Sequence, residues 1–184
     1  MTKIKKPVLI DLFAGCGGLS LGLEEAGFNP IFVNELHPDP MATYLANRLH
    51  ENSLLVKYKE ADIKNMVLKN NFLEDLKSGF KKDYDRNASS GEIDLVVGGP
   101  PCQGYSGIGH RRSYSVDKKQ LPSNHLYEDM AFVVNSIKPK IFLFENVRGL
   151  LSARWTKNGE KGEIWKNVLK TFQKIPGYHV RFDL

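Results

Sequence analysis

The stretch "VLIDLFAGCGGLSLGLEEAGFNPIFVNE", residues 8–35, decides the fold. It opens on an apolar run, "PVLIDLF" from residue 7, that reads as a buried strand. Gly15, Gly17 and Gly18 then permit a tight turn and a close backbone approach. Leu19, Gly22, Leu23 and Ala26 fall at i, i+3, i+4 and i+7, one face of a helix that Gly27 can close. "IFVNE" supplies a second strand, ending in Glu35. Strand, glycine turn, helix and strand in that order predict a parallel sheet covered by helices.

The remaining chain repeats the alternation. Ala42, Leu45, Ala46 and Leu49 have helical spacing, a weaker third strand is expected near "LLVKY", and residues 64–91 read as a helix plus a variable surface loop. "IDLVVGG" is the most strand-like run and is stopped by Gly98, Gly99, Pro100 and Pro101. Leu126, Met130, Val133, Val134 and Ile137 make a helical stripe, "KIFLFENV" another central strand, and Ile164, Trp165, Val168, Leu169, Phe172 and Ile175 a further helix. "YHVRFDL" alternates as a strand after the Pro176-Gly177 turn. The expected class is α/β: one mostly parallel sheet with helices on both faces.

A chain of 184 residues with 41% hydrophobic and 26% charged content suits a globular domain with a real core. Its apolar runs are too short for a membrane span, and no signal-like stretch precedes Asp11, so a cytoplasmic protein is expected. Cys16 and Cys102 lie far apart and no Cys/His cluster has zinc spacing, which predicts reduced thiols and no metal. The net charge is +5, and residues 110–119 set Arg111, Arg112, Lys118 and Lys119 against the single acid Asp117. Such a run is a solvated loop or a phosphate contact.

In an open α/β sheet, ligands bind beyond the carboxyl ends of the strands. The glycine turn after the first strand serves a nucleotide-like cofactor or a plain tight connection. Glu35 is placed to accept hydrogen bonds from ribose hydroxyls, and Asp62 to accept one from an adenine amine; alone, each reads equally as a surface carboxylate or a helix cap. Together they describe an adenosine pocket, and the absence of a Gly-x-x-x-x-Gly-Lys-Ser/Thr run leaves a dinucleotide or S-adenosylmethionine. Behind Pro100 and Pro101, Cys102 is presented rather than packed, and Glu145 follows the next strand. A thiol and a carboxyl at strand ends suit nucleophilic attack coupled to proton donation, and burial beside an apolar strand would favour the protonated Glu145; taken alone, Glu145 reads rather as a carboxylate capping the following turn.

"DLFAGCGG", "NE", "ADI", "GGPPCQGYS" and "ENV", in that order, resemble the motifs of the DNA (cytosine-5)-methyltransferases over nearly the whole chain. The resemblance implies a Rossmann-like, S-adenosylmethionine-dependent methyltransferase fold, truncated before its last strands. Residues 1–184 would be the amino-terminal part of the catalytic domain, with the target-recognition domain absent. It further implies that Phe13 stacks on adenine, that the turn of Gly15, Cys16, Gly17 and Gly18 approaches the methionine part with Ala14 also at the cofactor, and that Glu35 holds the ribose and Asp62 the adenine amine. Ile63 would pack beside the base, Pro100 would border the cofactor, and Leu36 stands where many members carry an aromatic residue.

Cys102 and Glu145 would be the catalytic pair. Cys102 would attack carbon 6 of a flipped cytosine in double-stranded DNA, with S-adenosylhomocysteine as the cofactor product. Gln103, together with Ser106, Arg111, Arg112, Lys118 and Lys119 of a closing loop over residues 106–123, would contact DNA. A bacterial restriction-modification role in the cytoplasm, on nucleoid-associated DNA, is implied. So is a second chain or carboxy-terminal segment that carries target recognition, without which the chain is expected to methylate DNA poorly. The rival readings are an RNA cytosine-5 methyltransferase and a non-catalytic module with the same fold.

Overall fold

The computed structural model describes residues 5–50, 53–88, 91–101, 122–156 and 158–183. The chain forms two compact units, Met1–Gly99 with Ser136–Phe144, and Pro100–Asn135 with Glu145–Leu184.

The first unit holds a five-stranded parallel sheet of β1 (Val8–Leu12), β2 (Asn29–Asn34), β3 (Lys59–Glu60), β4 (Leu95–Gly98) and β5 (Ile141–Phe144), in the order β3-β2-β1-β4-β5. The order reverses between β1 and β4, where Leu12 pairs with Gly98. That reversal is the switch point at which such sheets bind ligands.

β1 is buried along its whole length. Asp11 pairs with Val33 on one side and Val97 on the other, so these three share a face. On that face Leu23 of α1 (Gly18–Glu25) and Phe28 pack against Leu9, Leu95 and Val97, while Met41, Tyr44 and Leu45 of α2 (Pro38–Ala46) cluster with Val33 and Leu55. Phe32 lies on the opposite face, paired with Ile10, and meets Phe80 of α4 (Phe72–Tyr84) edge to face at 6.5 Å. α3 (Ile63–Leu68) precedes α4. Helices thus cover both faces of the sheet, as expected.

The second unit contains most of α5 (Leu126–Ile137), the 3-10 turn Arg148–Ser152 and α6 (Glu163–Gln173). Its interior gathers Leu150, Trp155, Ile164, Val168, Phe172 and Ile175, all buried, with His125 stacked on Trp155 at 5.0 Å. Of the stripes read for these helices, Met130, Val133, Val134, Ile137, Ile164, Val168, Phe172 and Ile175 are buried, whereas Leu126, Trp165 and Leu169 are half-buried.

Several expectations are corrected. Leu54 and Leu55 belong to a 3-10 turn, Ser53–Val56, and the third strand forms only at Lys59–Glu60. Residues 64–91 hold α3 and α4 rather than one helix. β5 is not central among the described strands: it forms an edge of the sheet, with Ile141 and Leu143 exposed. "YHVRFDL" pairs with no strand over residues 178–183, because alternation gives a strand only where a neighbour supplies the ladder.

Two helical faces are also rotated from their expected positions. In α1 the buried residue is Ser20 while Leu19 is exposed, and in α2 Met41, Tyr44, Leu45 and the following Arg48 are buried while Ala42 and Ala46 face outward. A polar interior between these helices and β1 accounts for both rotations: Ser20, Tyr44 and Arg48 turn inward toward Asp11, the only charged residue of β1.

Burial pushes the Asp11 carboxyl up to about 6, and the neighbouring Ser20 and Tyr44 hydroxyls and the Arg48 charge offset only part of that cost. Burial also raises the Tyr44 hydroxyl, with the Asp11 charge adding to it. Because the folded carboxyl holds its proton more tightly than an unfolded one, its contribution is fully present below pH 3.8 and is lost as the pH rises through about 6. That loss amounts to about 3 kcal/mol. Asp11→Asn is therefore expected to raise the denaturation midpoint at pH 8 and to converge on the unaltered chain near pH 4. A gap that does not change with pH would contradict this account.

Candidate functional site at the strand ends

Within the first unit, the chain leaves β1 through a turn that its sequence forces into the left-handed region. Phe13, Gly15 and Gly17 have φ of 56°, 56° and 89°. Glycine takes this region freely, whereas a bulky residue such as Phe13 is strained there. Gly17 has a second constraint: a Cβ at that position would lie 2.6 Å from Tyr44 Cδ2 and 2.7 Å from Arg48 Nη1. At Gly15 and Gly18 a Cβ would meet nothing within 4 Å, so the turn's outer side is open. Cys16, between them, is exposed.

Two residues at the end of β2 fix this turn. The buried Glu35 carboxylate accepts from Gly15 N–H through Oε2 and from His37 N–H through Oε1, both at 2.8 Å. Each oxygen accepts one bond here and retains a second lone pair. The Asn34 carboxamide does more. Its Oδ1 accepts from Phe13 N–H at 3.4 Å, and its Nδ2 donates to the carbonyls of Glu60 and Ala61, both at 2.9 Å. The ends of β1, β2 and β3 are thereby tied by one side chain. Sequence reasoning quoted Asn34 only as a neighbour of Glu35; its signal was a polar residue closing an otherwise apolar strand.

Asp62 is exposed and caps α3, its Oδ1 accepting from Lys64 N–H at 2.9 Å. The helix-cap reading is thus the one its geometry displays, and it leaves the carboxylate accessible. Ile63 is buried, Phe13 half-buried, and Leu36 is 62% exposed. The structure therefore brings the turn, Glu35 and the β3 end together in one hydrogen-bonded set, with Leu36 on its surface.

In the second unit, Asn146 Nδ2 donates to the Pro100 carbonyl at 3.1 Å, and its Oδ1 accepts from Val147 N–H at 2.9 Å. Asn146 was not singled out from sequence, although it stands inside "ENV". The chain beside Glu145 is thus fastened to the residue two places before Cys102. Glu145 itself is exposed, so the burial expected to favour its protonated form is absent; a four-residue edge strand does not enclose the group that follows it. Cys102, Gln103, Ser106, Arg111, Arg112, Lys118 and Lys119 lie outside the described residues.

The Asn34 bridge yields a test. Asn34→Ala leaves the Phe13 N–H and two strand-end carbonyls without that partner, and is expected to cost about 2 kcal/mol in denaturant unfolding. Asn34→Asp, which sets a carboxylate against two carbonyl oxygens, should destabilise more at pH 8 than at pH 4. Equal stability of both variants and the unaltered chain at pH 8 would count against the bridge.

The family model described as C-5 cytosine-specific DNA methylase matches residues 8–184. Among curated relatives, the Type II methyltransferase M.PspPI of Psychrobacter sp. is 37% identical over 94% of this chain and 33% of its own length. The Type II methyltransferase M.NgoPII of Neisseria gonorrhoeae is 36% identical over 96% of this chain and 41% of its own. A crystal structure from E. coli, of a prophage-encoded protein assigned as a DNA modification methyltransferase, superposes with a TM-score of 0.61 at 27% identity, over 91% of this chain and 38% of that one. The chain therefore spans roughly a third to two fifths of the length of these relatives. Five parallel strands in the order β3-β2-β1-β4-β5, a glycine turn clamped by a strand-end glutamate, and a family match over residues 8–184 lead to one assignment: the chain belongs to the C-5 cytosine-specific DNA methylase family.

Proposed function

We propose that this chain carries the methyl-transfer chemistry of a DNA (cytosine-5)-methyltransferase of a restriction-modification system, with S-adenosylmethionine as donor and double-stranded DNA as substrate. The observation that carries the reading is that the family match over residues 8–184 takes in the glycine turn, Glu35, Asp62, the Pro-Pro-Cys run at Cys102 and Glu145 together. Sequence-specific recognition of DNA, and any partner that serves it, would rest on the share of the relatives' length that this chain does not cover.

The residues at the strand ends fit an adenosyl cofactor. The open backbone of Gly15 and Gly18 allows close approach, Glu35 keeps acceptor capacity for ribose hydroxyls, and the exposed Asp62 carboxylate can accept from an amine. Phe13 and Leu36 offer apolar surface for the base. Bound there, S-adenosylmethionine supplies a methyl group on a sulfonium centre.

The chain's own groups would prepare the acceptor. Carbon 5 of cytosine is a poor nucleophile. Cys102, as the thiolate, adds to carbon 6 while Glu145 hydrogen bonds or protonates ring nitrogen 3, which concentrates electron density at carbon 5. Loss of the carbon 5 proton later expels Cys102. The base must leave the duplex for this, at a cost of a few kcal/mol. An exposed Glu145 is suited to meeting an incoming base, and Asn146 holds the Pro100 carbonyl two residues before Cys102 in the sequence. The basic run of Arg111, Arg112, Lys118 and Lys119 would contribute salt-sensitive phosphate attraction.

The intact protein, incubated with S-adenosylmethionine and duplex DNA, is expected to give 5-methylcytosine by mass spectrometry. Cys102→Ala should lower turnover by at least about a thousandfold while cofactor affinity by calorimetry stays within about twofold. Methylation at the unaltered rate by that variant would overturn the reading.

A further inference from the structure

Beneath the glycine turn lies a charged residue that the proposed chemistry does not use. Arg48, just past the carboxyl end of α2, is only 5% exposed. Its Nη2 donates to the Gly17 carbonyl at 3.0 Å and to Ser20 Oγ at 3.2 Å, and its Nη1 donates to the Tyr44 carbonyl at 3.2 Å. Its Nε donates to Glu24 Oε1 at 2.7 Å, completing an ion pair in which Glu24 is the more exposed partner. The guanidinium lies 3.9 Å above the Tyr44 ring, a stacked position that lysine cannot reproduce.

Burying an ion pair is a poor route to stability. Well-packed apolar side chains of similar volume often do as well or better, because two charges must be stripped of water. What an apolar residue could not supply is a donor to Gly17. That carbonyl also accepts from Ser20 Oγ and from Leu21 N–H, so it is the point where the turn, α1 and α2 meet. The missing Cβ of Gly17 is what lets the guanidinium come so close, and Gly17 N–H in turn donates to Ala14 O at 2.9 Å. Arg48 and Glu35 therefore hold the turn from opposite ends, one at the Gly17 carbonyl and one at the Gly15 N–H.

We infer that Arg48 is a positioning residue for the cofactor site: by holding the Gly17 carbonyl it keeps the turn in the one conformation that receives the amino-acid end of S-adenosylmethionine. The inference rests on the cofactor reading proposed above. It assigns to Arg48 a selective effect, since a turn that loses its anchor should bind the aminocarboxypropyl portion poorly while the nucleoside contacts at Glu35 and Asp62 persist.

The test compares two probes by calorimetry with the full chain: S-adenosylhomocysteine, and 5′-methylthioadenosine, which lacks the amino-acid portion. Arg48→Met is expected to weaken the first by about tenfold or more and the second by no more than about twofold. Because Arg48→Met strands the Glu24 charge, the double variant Glu24→Gln/Arg48→Met is measured beside it, and is expected to recover thermal stability but not S-adenosylhomocysteine affinity. Arg48→Lys, which keeps the charge and loses the fork, should fall with the methionine variant. Unchanged S-adenosylhomocysteine affinity in a folded variant would overturn the inference, and so would an equal loss for both probes or failure of both methionine variants to fold. If the unaltered chain binds neither probe, the cofactor reading itself falls.

Discussion

The Asn34 carboxamide sets where three strands end. A parallel ladder leaves the last N–H and C=O groups of each strand pointing past the sheet, and at β3 there are only two residues to hold the pairing at all. Asn34 meets that need from a buried position, accepting from the residue that leaves β1 and donating to two carbonyls at the end of β3. Glu35, the next residue, is then delivered to the mouth of the glycine turn. An aliphatic residue at 34 would pack against the sheet equally well, but it would leave Phe13 N–H, Glu60 O and Ala61 O without this side-chain partner.

From that bridge the unusual backbone of the turn follows. Phe13 occupies a left-handed conformation that a bulky side chain adopts only when its surroundings compel it. The compulsion is visible: Phe13 N–H is directed at Asn34 Oδ1, Ala14 N–H at Asn34 O, and Gly15 N–H at Glu35 Oε2. Three successive amides are thus committed to Asn34, the last residue of β2, and to Glu35, which follows it. The turn continues the sheet pairing through backbone and side-chain acceptors, and Ala14 adds apolar contact with the Val33, Met41, Tyr44, Leu45 and Leu55 cluster.

How much of this was legible in the sequence depends on what each residue's environment required. Apolar runs showed β1, β2 and β4 because a strand buried on both faces is mostly apolar, and α5 and α6 because most of each stripe meets an apolar interior. The faces of α1 and α2 were misread for the converse reason. Their inward residues include Ser20 and Arg48, and a pattern that counts only aliphatic side chains turns the helix the wrong way when the interior is polar. The terminal "YHVRFDL" alternates correctly yet finds no partner strand among the described residues, and β3 was misplaced because two residues carry no periodicity. Glu35 and Asp62 stood out as candidates by their place after strands; Asn34, Asn146 and Arg48 did not, since each acts on backbone carbonyls, which any sequence supplies and none advertises.

The costs of this fold are concentrated around the turn that follows β1. Asp11 is buried with its carboxyl pushed up to about 6, Arg48 is desolvated, and Phe13 is strained, whereas the Phe32, Tyr58, Phe80 and Tyr84 cluster on the other face of the sheet is aromatic and tightly arranged, with ring centroids 5.4 to 6.5 Å apart. A chain selected for stability alone would have little use for the first set, since Asn at 11 and apolar residues at 48 and 24 would remove the penalties. What the set accomplishes is positional: every member bears on the turn between β1 and α1 or on the helix residues that hold it. Stability drawn from the aromatic face thus offsets strain and desolvation at the turn, and the two faces of one sheet divide the work of folding and of site construction between them.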